Sequence, residues 1–520
     1  MFLDDEALTV NSFVSMFMIK NEKLDLAILL LISLLLSIYL FFRTYVISSD
    51  GASQYIPMAK VFASGLYKEA IGLSGQQPLY SFLIALISPL VSDFEVAGKL
   101  ISSFFGILVI FPVYFLGKRV FDQKIAFFSA FFLAIHPYFR RFSGDVLKES
   151  TYLFFLAIAI WFTLKTVQRG KMYSYLFVPF FSALVYLVRP DGIEILLVVF
   201  FYFFFIKKFD LPEKKWAVIL LLLLSSVILF LPYLLHLREA TGGWTLSKAK
   251  SVVGILGWGV TKDEVSFMTK VIYSLKKLNL EIFAIYHPLF IFLLAVGLLR
   301  RKSSHFKNEE KFLISFFVLH YLVLFLLILN LTDWKSGERV QGYLLSGRHV
   351  LPLLLISIYW VGGGFLNLYH WIYKKIEANN LLNRLESKRK SNIILVTLLI
   401  LILVIILPKT LKPQRYERLT EKWAGIWIKN QSGRGTMIFT TIPRVAYYAD
   451  GNCDYIDFKK DKFDKIKASM VEKGAPYLVI RQMDIIDFPN ETDSIKKNFI
   501  EVIRYEEKGM EKIIIYKRLQ

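Results

Sequence analysis

Residues 24–42 read LDLAILLLISLLLSIYLFF, a run of 19 residues with a single charged side chain. A helix of about 20 apolar residues is long enough to cross the hydrocarbon core of a bilayer. Arg43, Thr44 and Tyr45 follow the run, where a cleavable signal peptide would end in small residues. We therefore predict that this run is a retained membrane anchor and that the chain leaves the membrane near residue 44.

The 520-residue chain is 55% hydrophobic and 16% aromatic, which is more apolar than soluble globular proteins are. Apolar runs that are candidate spans recur as far as residue 408. The candidates are residues 24–42, 98–117, 124–137, 150–167, 173–188, 191–206, 215–235, 282–299, 311–330, 350–370 and 392–408. Pro78–Val91 is apolar but short, and we predict a juxtamembrane or re-entrant helix there. The sequence therefore predicts a polytopic α-helical membrane protein with about eleven spans.

The excess of Lys and Arg gives the chain a net charge of +21 at pH 7. Such a charge is common in nucleic-acid-binding proteins, but here five basic clusters lie in short loops between the apolar runs. With eleven spans, all five clusters fall on one side of the membrane, as is typical of the cytoplasmic face. We therefore predict a multi-pass protein of the inner (plasma) membrane, whose partner is the bilayer and not nucleic acid.

The same count places the polar loops and the tail on the extracytoplasmic side. These segments are residues 44–97, 138–149, 189–190, 236–281 and 331–349, and the tail from 409 onward. We predict a transmembrane catalytic domain over 1–408, with the long external loop 236–281 as a lid, and a soluble α/β domain over 409–520. In the tail, the periodicity predicts a helix over Tyr416–Lys429, strands over Thr436–Thr441 and Tyr477–Ile480, and a hairpin of Phe499–Tyr505 and Lys512–Tyr516.

The first external loop, residues 44–97, carries a distinctive order of residues. It contains Asp50-Gly-Ala-Ser-Gln-Tyr55, then Ala59, Ser64-Gly65 and Gln77-Pro78-Leu79-Tyr80. This order resembles the first external loop of the GT-C glycosyltransferases, in particular the bacterial relatives of protein O-mannosyltransferases and of the aminoarabinose transferase that modifies lipid A. Segments 95–106, 126–149, 187–193 and 347–352 also resemble family segments in order, so the resemblance covers about residues 24–410.

The resemblance implies an inverting transferase that moves a sugar from a polyprenyl-monophosphate donor to a lipid, glycan or protein acceptor on the outer membrane face. Such a reaction needs a carboxylate to take the acceptor's proton and cations to neutralise the departing phosphate. The family's position makes Asp50 the base, and the second external acid matches Glu149. Each acid also has a structural interpretation, since Asp50 can cap a turn and Glu149 can favour a helix N-terminus.

For the donor phosphate, the candidates are Lys99, Arg189 and Arg348. Relatives often have Arg where this chain has Lys99. Lysine keeps the positive charge of arginine but lacks the planar group that binds a phosphate through two parallel hydrogen bonds. The two arginines have an alternative role as side chains that reach to lipid headgroups. Candidate substrate-binding residues are Tyr55, Gln76, Gln77, Tyr80 and His349, although a lone His is more often a structural residue.

Metal ligands are sparse in the sequence. Cys453 is the single cysteine, so neither an intramolecular disulfide nor a cysteine-based zinc site is expected. Relatives often have a His or a charged residue before the Pro of the first loop, where this chain has Gln76 and Gln77. We therefore predict no obligatory metal or other cofactor, while a divalent metal is left open.

Two other functions remain open at this point. A transporter or flippase of lipid-linked sugars predicts charged residues at mid-bilayer and paired repeats, and the inner spans are almost free of charge. A polytopic glycan polymerase or ligase predicts key Arg and His residues in the long external loop. Residues 236–281 offer His236 and Arg238 but no compact cluster.

Overall fold

A computed structural model describes residues 21–73, 75–169, 171–205, 215–248, 265–299, 307–332, 346–379, 386–458, 461–486 and 488–519. Up to residue 410 the described chain is dominated by α-helices. Their bounds are α1 Glu22–Arg43, α2 Ile56–Ala63, α3 Tyr67–Leu73, α4 Leu79–Val91, α5 Phe94–Leu108, α6 Ile110–Val120, α7 Gln123–Ile135, α8 Pro137–Ser143, α9 Glu149–Arg169, α10 Phe177–Val188, α11 Glu194–Phe205, α12 Lys215–Thr241, α13 Phe267–Tyr286, α14 Pro288–Leu299, α15 Asn308–Leu331, α16 Leu351–Ala378 and α17 Ser387–Thr410.

Seven helices or joined helices in the described chain are long and apolar enough to span a bilayer. They are Glu22–Arg43, Phe94–Val120, Glu149–Val167, Trp216–Thr241, Asn308–Asn330, Leu351–Ala378 and Ser387–Thr410. The pair α13 and α14 makes an eighth if it counts as one span. Three shorter apolar helices, Leu79–Val91, Gln123–Ile135 and Met172–Val188, accompany them. The multi-pass helical class is confirmed, whereas the count of eleven spans is not.

One predicted span is not a straight helix. Residues 282–299 lie across a bend of 102° between α13 and α14. The bend falls at His287, which has a φ of 68°, and Pro288 follows it. Proline lacks the N–H that would continue the ladder of the preceding helix, so α13 ends there. The local sequence His287-Pro288 causes this break, but the continuous apolar run around it predicts a single straight span.

The segment 236–281, predicted as a long external loop, is largely helical at both ends. Helix α12 continues to Thr241 and α13 begins at Phe267. Between the two helices, residues 249–264 lie outside the described chain. The role of this segment as a lid stays a prediction.

The first external loop folds into helices α2 to α4 and a π-helical turn over Gly51–Tyr55. Helix α4, Leu79–Val91, agrees with the short helix expected over Pro78–Val91. Buried side chains, among them Tyr55, Tyr80 and Val146, form a separate apolar cluster beneath the loop. The loop is therefore a packed layer on the ends of the spans, which fixes the residues it carries.

After residue 410 the chain forms a five-stranded mixed sheet with helices. The elements are α18 Leu419–Ser432, β1 Met437–Thr440, α19 Pro443–Ala449, β2 Asn452–Tyr455, α20 Phe463–Glu472, β3 Tyr477–Arg481, α21 Gln482–Ile485, α22 Pro489–Asn498, β4 Phe499–Tyr505 and β5 Ile513–Arg518. The strand order is β2-β1-β3-β5-β4. Strand β1 pairs in parallel with β2 and β3, and β5 pairs antiparallel with β3 and β4. The expected helix, two strands and hairpin are present, and β2 is an additional strand.

The tail is joined to the end of α1 by backbone hydrogen bonds. The Tyr45 N–H donates to the Gln414 carbonyl at 3.2 Å, and the Gln414 N–H donates to the Arg43 carbonyl at 2.9 Å. The Ile47 N–H also donates to the Tyr448 hydroxyl at 2.9 Å. The sheet domain is therefore fixed against the start of the first external loop, while the domain bounds 1–408 and 409–520 stay predictions.

Helices α14 and α16 pack backbone to backbone through two glycines. A Cβ atom on Gly364 would lie 1.8 Å from the Leu293 carbonyl oxygen, and one on Gly297 would lie 2.0 Å from the Trp360 carbonyl oxygen. Since backbone atoms cannot move aside cheaply, any side chain here must separate the helices. Helix α16 follows the turn that carries Arg348, so this contact also bears on the site described below.

We expect Gly364→Ala to lower the thermal unfolding midpoint, because the added methyl group forces α14 and α16 apart. The adjacent Gly363→Ala is the matched control, since its Cβ would meet only the Ile125 side chain at 3.8 Å. In a helix interior, Ala is favoured over Gly by about 1 kcal/mol, so the control should be neutral or stabilising. Thermal unfolding in a fixed detergent measures both variants, and equal midpoints would contradict the close helix contact.

Candidate active site

The loop segment before Asp50 is held by a compact set of hydrogen bonds. The Ser48 hydroxyl donates to the Val146 carbonyl at 2.7 Å and accepts from the Gly51 N–H at 2.9 Å. A Cβ on Gly51 would lie 2.8 Å from the Ser48 Oγ and 3.0 Å from the Val146 Cβ. Glycine at 51 is thus required by the close approach of the two segments, and it fixes Asp50 beside the start of α9.

Asp145 is the buried anchor of this arrangement. Its Oδ1 accepts from the Ser48 N–H at 3.1 Å and from the Val146 N–H at 2.7 Å. Its Oδ2 accepts from Arg415, which lies in the segment leading to the sheet domain. Asp145 therefore connects the first external loop to the tail.

Arg348 lies against both predicted acids. It is carried by the 3-10 turn Gly347–His349, just before α16. One guanidinium nitrogen donates to the Asp50 carboxylate, and its Nε lies 4.0 Å from Glu149 Oε1. Burial by itself would lower the pKa of Arg348, but Glu149 and Asp50 raise it above its ordinary value. We refer to these three residues as the Asp50–Arg348–Glu149 cluster.

Glu149 is the most buried member of the cluster. Its side chain is 1% exposed, and it is the first residue of α9. Neither carboxylate oxygen accepts a hydrogen bond from the described residues. A buried carboxylate without hydrogen bonds is costly unless a cation or ligand lies close by, so Glu149 has unused acceptor capacity facing Arg348.

Arg189 contacts the turn that carries Arg348. Its guanidinium forms a bidentate pair with Asp191, with distances of 3.1 Å and 2.7 Å, and lies 4.5 Å from the centre of the Tyr152 ring. Its Nη1 donates to the Arg348 carbonyl at 3.1 Å. Arg189 therefore fixes the backbone of the turn that carries Arg348. Asp191 was not singled out from the sequence, although its place two residues after Arg189 is a visible signal.

Lys148 is the cation that sequence reasoning missed. Its Nζ donates to Gln76 Oε1 at 2.6 Å and lies 5.7 Å from the centre of the Tyr55 ring. Burial, together with the nearby Arg189, lowers the pKa of Lys148 to about 7. The only sequence signal was its position directly before Glu149.

The remaining sequence candidates have varied surroundings. Burial raises the pKa of the Tyr55 phenol, with further contributions from Glu149 and Asp50, and its hydroxyl has no partner among the described residues. Tyr80 is buried, and its hydroxyl is hydrogen-bonded to Ser102 and the Gly98 carbonyl.

Gln77 lies between the Tyr233 hydroxyl and the Leu246 carbonyl. His349 Nδ1 caps its own turn through Ser346. These contacts give Gln77 and His349 clear structural roles. Their roles in substrate binding, like those of Gln76, Tyr55 and Tyr80, stay predictions.

Lys99 is not brought into the cluster. Its Nζ lies 2.7 Å from Glu95 and donates to the Thr44 carbonyl at 3.0 Å. These contacts stabilise the point where the chain leaves α1. A role for Lys99 at the donor phosphate stays a prediction.

The residues of the cluster were also compared with the needs of a divalent metal. Asp50 and Glu149 are two carboxylates that approach one point, but the Arg348 guanidinium already lies against both. Within the described ranges, three or more His, Cys, Asp or Glu side chains do not gather in a metal-binding group. The described residues present here therefore do not make a complete metal site.

The chain is similar to one protein family and to several solved membrane-enzyme structures. A family model of dolichyl-phosphate-mannose-protein mannosyltransferases matches residues 75–236, less than half of the chain. No curated protein matches the chain. The oligosaccharyltransferase AglB from Archaeoglobus fulgidus, solved with an inhibitory peptide and a dolichol-phosphate, has a TM-score of 0.57 at 13% identity, covering 95% of this chain and 74% of that one.

ArnT from Cupriavidus metallidurans, solved with undecaprenyl phosphate, has a TM-score of 0.56 at 10% identity. The match covers 94% of this chain and 97% of that one. Another structure of the Archaeoglobus fulgidus enzyme, with Zn and sulfate, has a TM-score of 0.56 at 13% identity, covering 93% and 72% of the two chains. At such low identity the likeness establishes the fold, and the chain has the GT-C fold expected from its sequence.

We expect Arg415→Met to destabilise the protein by roughly 3 kcal/mol, since removal of one partner leaves the buried Asp145 carboxylate uncompensated. Hydrogen exchange of the backbone over residues 46–52 should become faster. Thermal unfolding and exchange mass spectrometry measure the two effects.

Arg434→Met is the matched control, because Arg434 is 79% exposed where it pairs with Asp450. Exposed pairs are worth about 0–1 kcal/mol, so this variant should resemble the wild type. If both variants behaved alike, the Asp145–Arg415 pair would not be the anchor of the loop.

Proposed function

We propose that the chain is an inverting glycosyltransferase that moves a sugar from a polyprenyl-monophosphate donor to a lipid, glycan or protein acceptor. The observation that carries the proposal is the Asp50–Arg348–Glu149 cluster at the ends of membrane helices. The mannosyltransferase family match and the GT-C fold support the reaction class. The polyprenyl-phosphate ligands of the similar structures support the donor class.

In the proposed reaction, Asp50 acts as the general base. As the acceptor oxygen or nitrogen forms a bond to the anomeric carbon, its proton moves to the Asp50 carboxylate. The bond from the anomeric carbon to the phosphate oxygen breaks on the opposite face of the sugar, and its electron pair leaves with the polyprenyl phosphate. A single displacement of this kind inverts the configuration at the anomeric carbon.

Arg348 would neutralise the departing phosphate, with Lys148 as a second cation. In the present structure the Arg348 guanidinium is occupied by Asp50. A donor phosphate that binds Arg348 would release Asp50 from this pair, so the base becomes available when the donor is in place. Arg189 acts as a positioning residue through its hydrogen bond to the Arg348 carbonyl.

Glu149 would orient the acceptor. Its two oxygens are buried at the N-terminus of α9 and accept no hydrogen bond from the described residues. An acceptor hydroxyl or amine supplies the donor that such a carboxylate needs. Its burial also distinguishes it from Asp50, whose side chain is 21% exposed and therefore reachable by substrate.

The proposal includes the membrane orientation. The basic loops join the spans at the helix ends away from the Asp50–Arg348–Glu149 cluster, and basic loops are typical of the cytoplasmic side. The Asp50–Arg348–Glu149 cluster and the sheet domain then lie on the extracytoplasmic side of an inner (plasma) membrane. The polymerase or ligase alternative gains no comparable support, since His236 and Arg238 belong to the last turns of α12.

We expect Asp50→Asn to lower kcat by about 10²–10⁴, the range of a general base. The donor KM should not rise, because Arg348 keeps its charge and loses a competing anion. The assay follows transfer from a polyprenyl-monophosphate sugar, with a polyprenyl-diphosphate glycan as the contrasting donor.

Glu69→Gln is the control, as it makes the same carboxylate-to-amide change at an exposed position of the same loop. It should retain full activity. Full activity of a folded Asp50→Asn variant would exclude Asp50 as the base, and transfer from the diphosphate donor alone would favour the polymerase or ligase.

We expect the donor KM to rise as the pH increases from about 6 to about 8, because Lys148 loses its proton above its pKa of about 7. Lys148→Met should have a raised KM that no longer depends on pH in this range. Steady-state kinetics at several pH values measure the difference. Lys68→Met, an exposed position of the first external loop, should keep the wild-type profile; an unchanged profile in Lys148→Met would remove Lys148 from donor binding.

A further inference from the structure

A second cationic cavity lies apart from the Asp50–Arg348–Glu149 cluster. It has a volume of about 290 Å³ and is formed where α8 and the end of α17 meet the segment that leads into the sheet domain. Its lining includes Tyr138, Arg141, Lys409, Lys412, Arg415 and Glu417. Four of these six residues are cations and one is an anion, so the cavity is built to attract negative charge.

The cations are only partly balanced by the protein. Arg415 is paired with Asp145. Arg141, Lys409 and Lys412 form no ion pair with a carboxylate of the described chain, and Lys409 lies 5.3 Å from the centre of the Tyr138 ring. The positive charges that line this cavity repel one another, and an anion of two or more negatively charged oxygens would relieve the repulsion.

The electrostatics of Arg141 agree with this crowding. Partial desolvation and the nearby charge of Arg415 lower the pKa of Arg141. An anion placed between the two guanidinium groups would act in the opposite direction. Arginine is also the side chain best suited to bind phosphate through two parallel hydrogen bonds.

The position of the cavity identifies the source of the anion. Lys409 lies in the last turn of α17, whose preceding turns expose apolar side chains. Ile405 is 49% exposed and Leu401 is 52% exposed, and both lie on the same face of α17 as Lys409, about one and two helical turns before it. A phosphate bound in the cavity would therefore lie next to an apolar helix surface. A phospholipid has the matching arrangement, an anionic headgroup joined to acyl chains.

We propose that this cavity binds the phosphate headgroup of an anionic phospholipid whose acyl chains lie along α17. This differs from a lysine that merely reaches the headgroup region, because residues from α8 and from the segment after α17 converge on one cavity. The bound lipid would stabilise the junction between the membrane helices and the sheet domain. The proposal does not depend on the transferase reaction.

The test compares lipid binding to the full-length chain in detergent by native mass spectrometry, with dioleoyl phosphatidylglycerol as the anionic probe and dioleoyl phosphatidylcholine as the zwitterionic one. The variant Arg141→Gln/Lys409→Gln/Lys412→Gln removes the three unpaired cations. Each Lys or Arg beside an anionic headgroup contributes about fivefold in affinity. We expect phosphatidylglycerol to bind the triple variant at least about tenfold more weakly than the wild type, with phosphatidylcholine binding unchanged.

The control variant Lys465→Gln/Lys496→Gln/Lys497→Gln makes the same charge change at exposed positions of the sheet domain. It should bind phosphatidylglycerol as the wild type does. An equal loss in both triple variants, or no loss in the first, would overturn the proposal. If the first triple variant does not fold, the single variant Lys412→Gln at an exposed position should weaken binding about fivefold.

Inorganic phosphate alone distinguishes a lipid from a free anion. Because the acyl chains contribute along α17, inorganic phosphate should not displace phosphatidylglycerol at equal concentration. Displacement at equal concentration would show that the cavity takes a free phosphate, and the lipid proposal would then be wrong.

Discussion

The central constraint in this structure is the sharing of one guanidinium between two carboxylates. Asp50 comes from the loop after α1, Glu149 begins α9, and Arg348 precedes α16. Without the arginine, the buried Glu149 carboxylate would be an unpaired charge in an apolar protein, which is strongly unfavourable. The loop after α1 and the starts of α9 and α16 are therefore held at one point by electrostatics in addition to the apolar packing beneath the loop.

Two sets of buried polar contacts keep this point rigid. On one side, two side chains hold the backbone of the turn that carries Arg348. Arg189 donates to the Arg348 carbonyl at 3.1 Å, and His320 Nε2 lies 3.0 Å from the His349 carbonyl oxygen. On the other side, Asp145 holds the Ser48 backbone and pairs with Arg415. A site that must stabilise developing charge benefits from such preorganisation, since little reorganisation is left for the reaction itself.

The sheet domain takes part in this rigidity. Arg415 and Tyr448 reach the first external loop from the tail, and Glu421 is buried in a pair with Arg444 within the sheet domain. The loop that carries Asp50 is thus enclosed by membrane helices on one side and by the tail on the other. A tail that is merely appended would not need a buried ion pair with Asp145, the residue that accepts a hydrogen bond from the loop backbone at Ser48.

The sequence by itself determined the membrane class, four of the five strands of the tail sheet and the residue types of the candidate site. Apolar runs and alternating patterns are local properties. The helix over residues 24–42 and the strand over Tyr477–Ile480 can therefore be predicted without knowledge of their tertiary contacts. The order of motifs around Asp50 indicated the GT-C fold, and the comparisons agree with that fold. Local pattern reached its limit at His287, where one residue with positive φ divides an apolar run.

Only the tertiary structure decided which charges meet. Lys99 is paired with Glu95, while Lys148, which the sequence did not mark, lies buried beside Gln76 and Tyr55. Arg348 and Asp50 are 298 residues apart in the chain. Pairing over such a distance depends on how the helices pack, and no periodicity in the sequence records it.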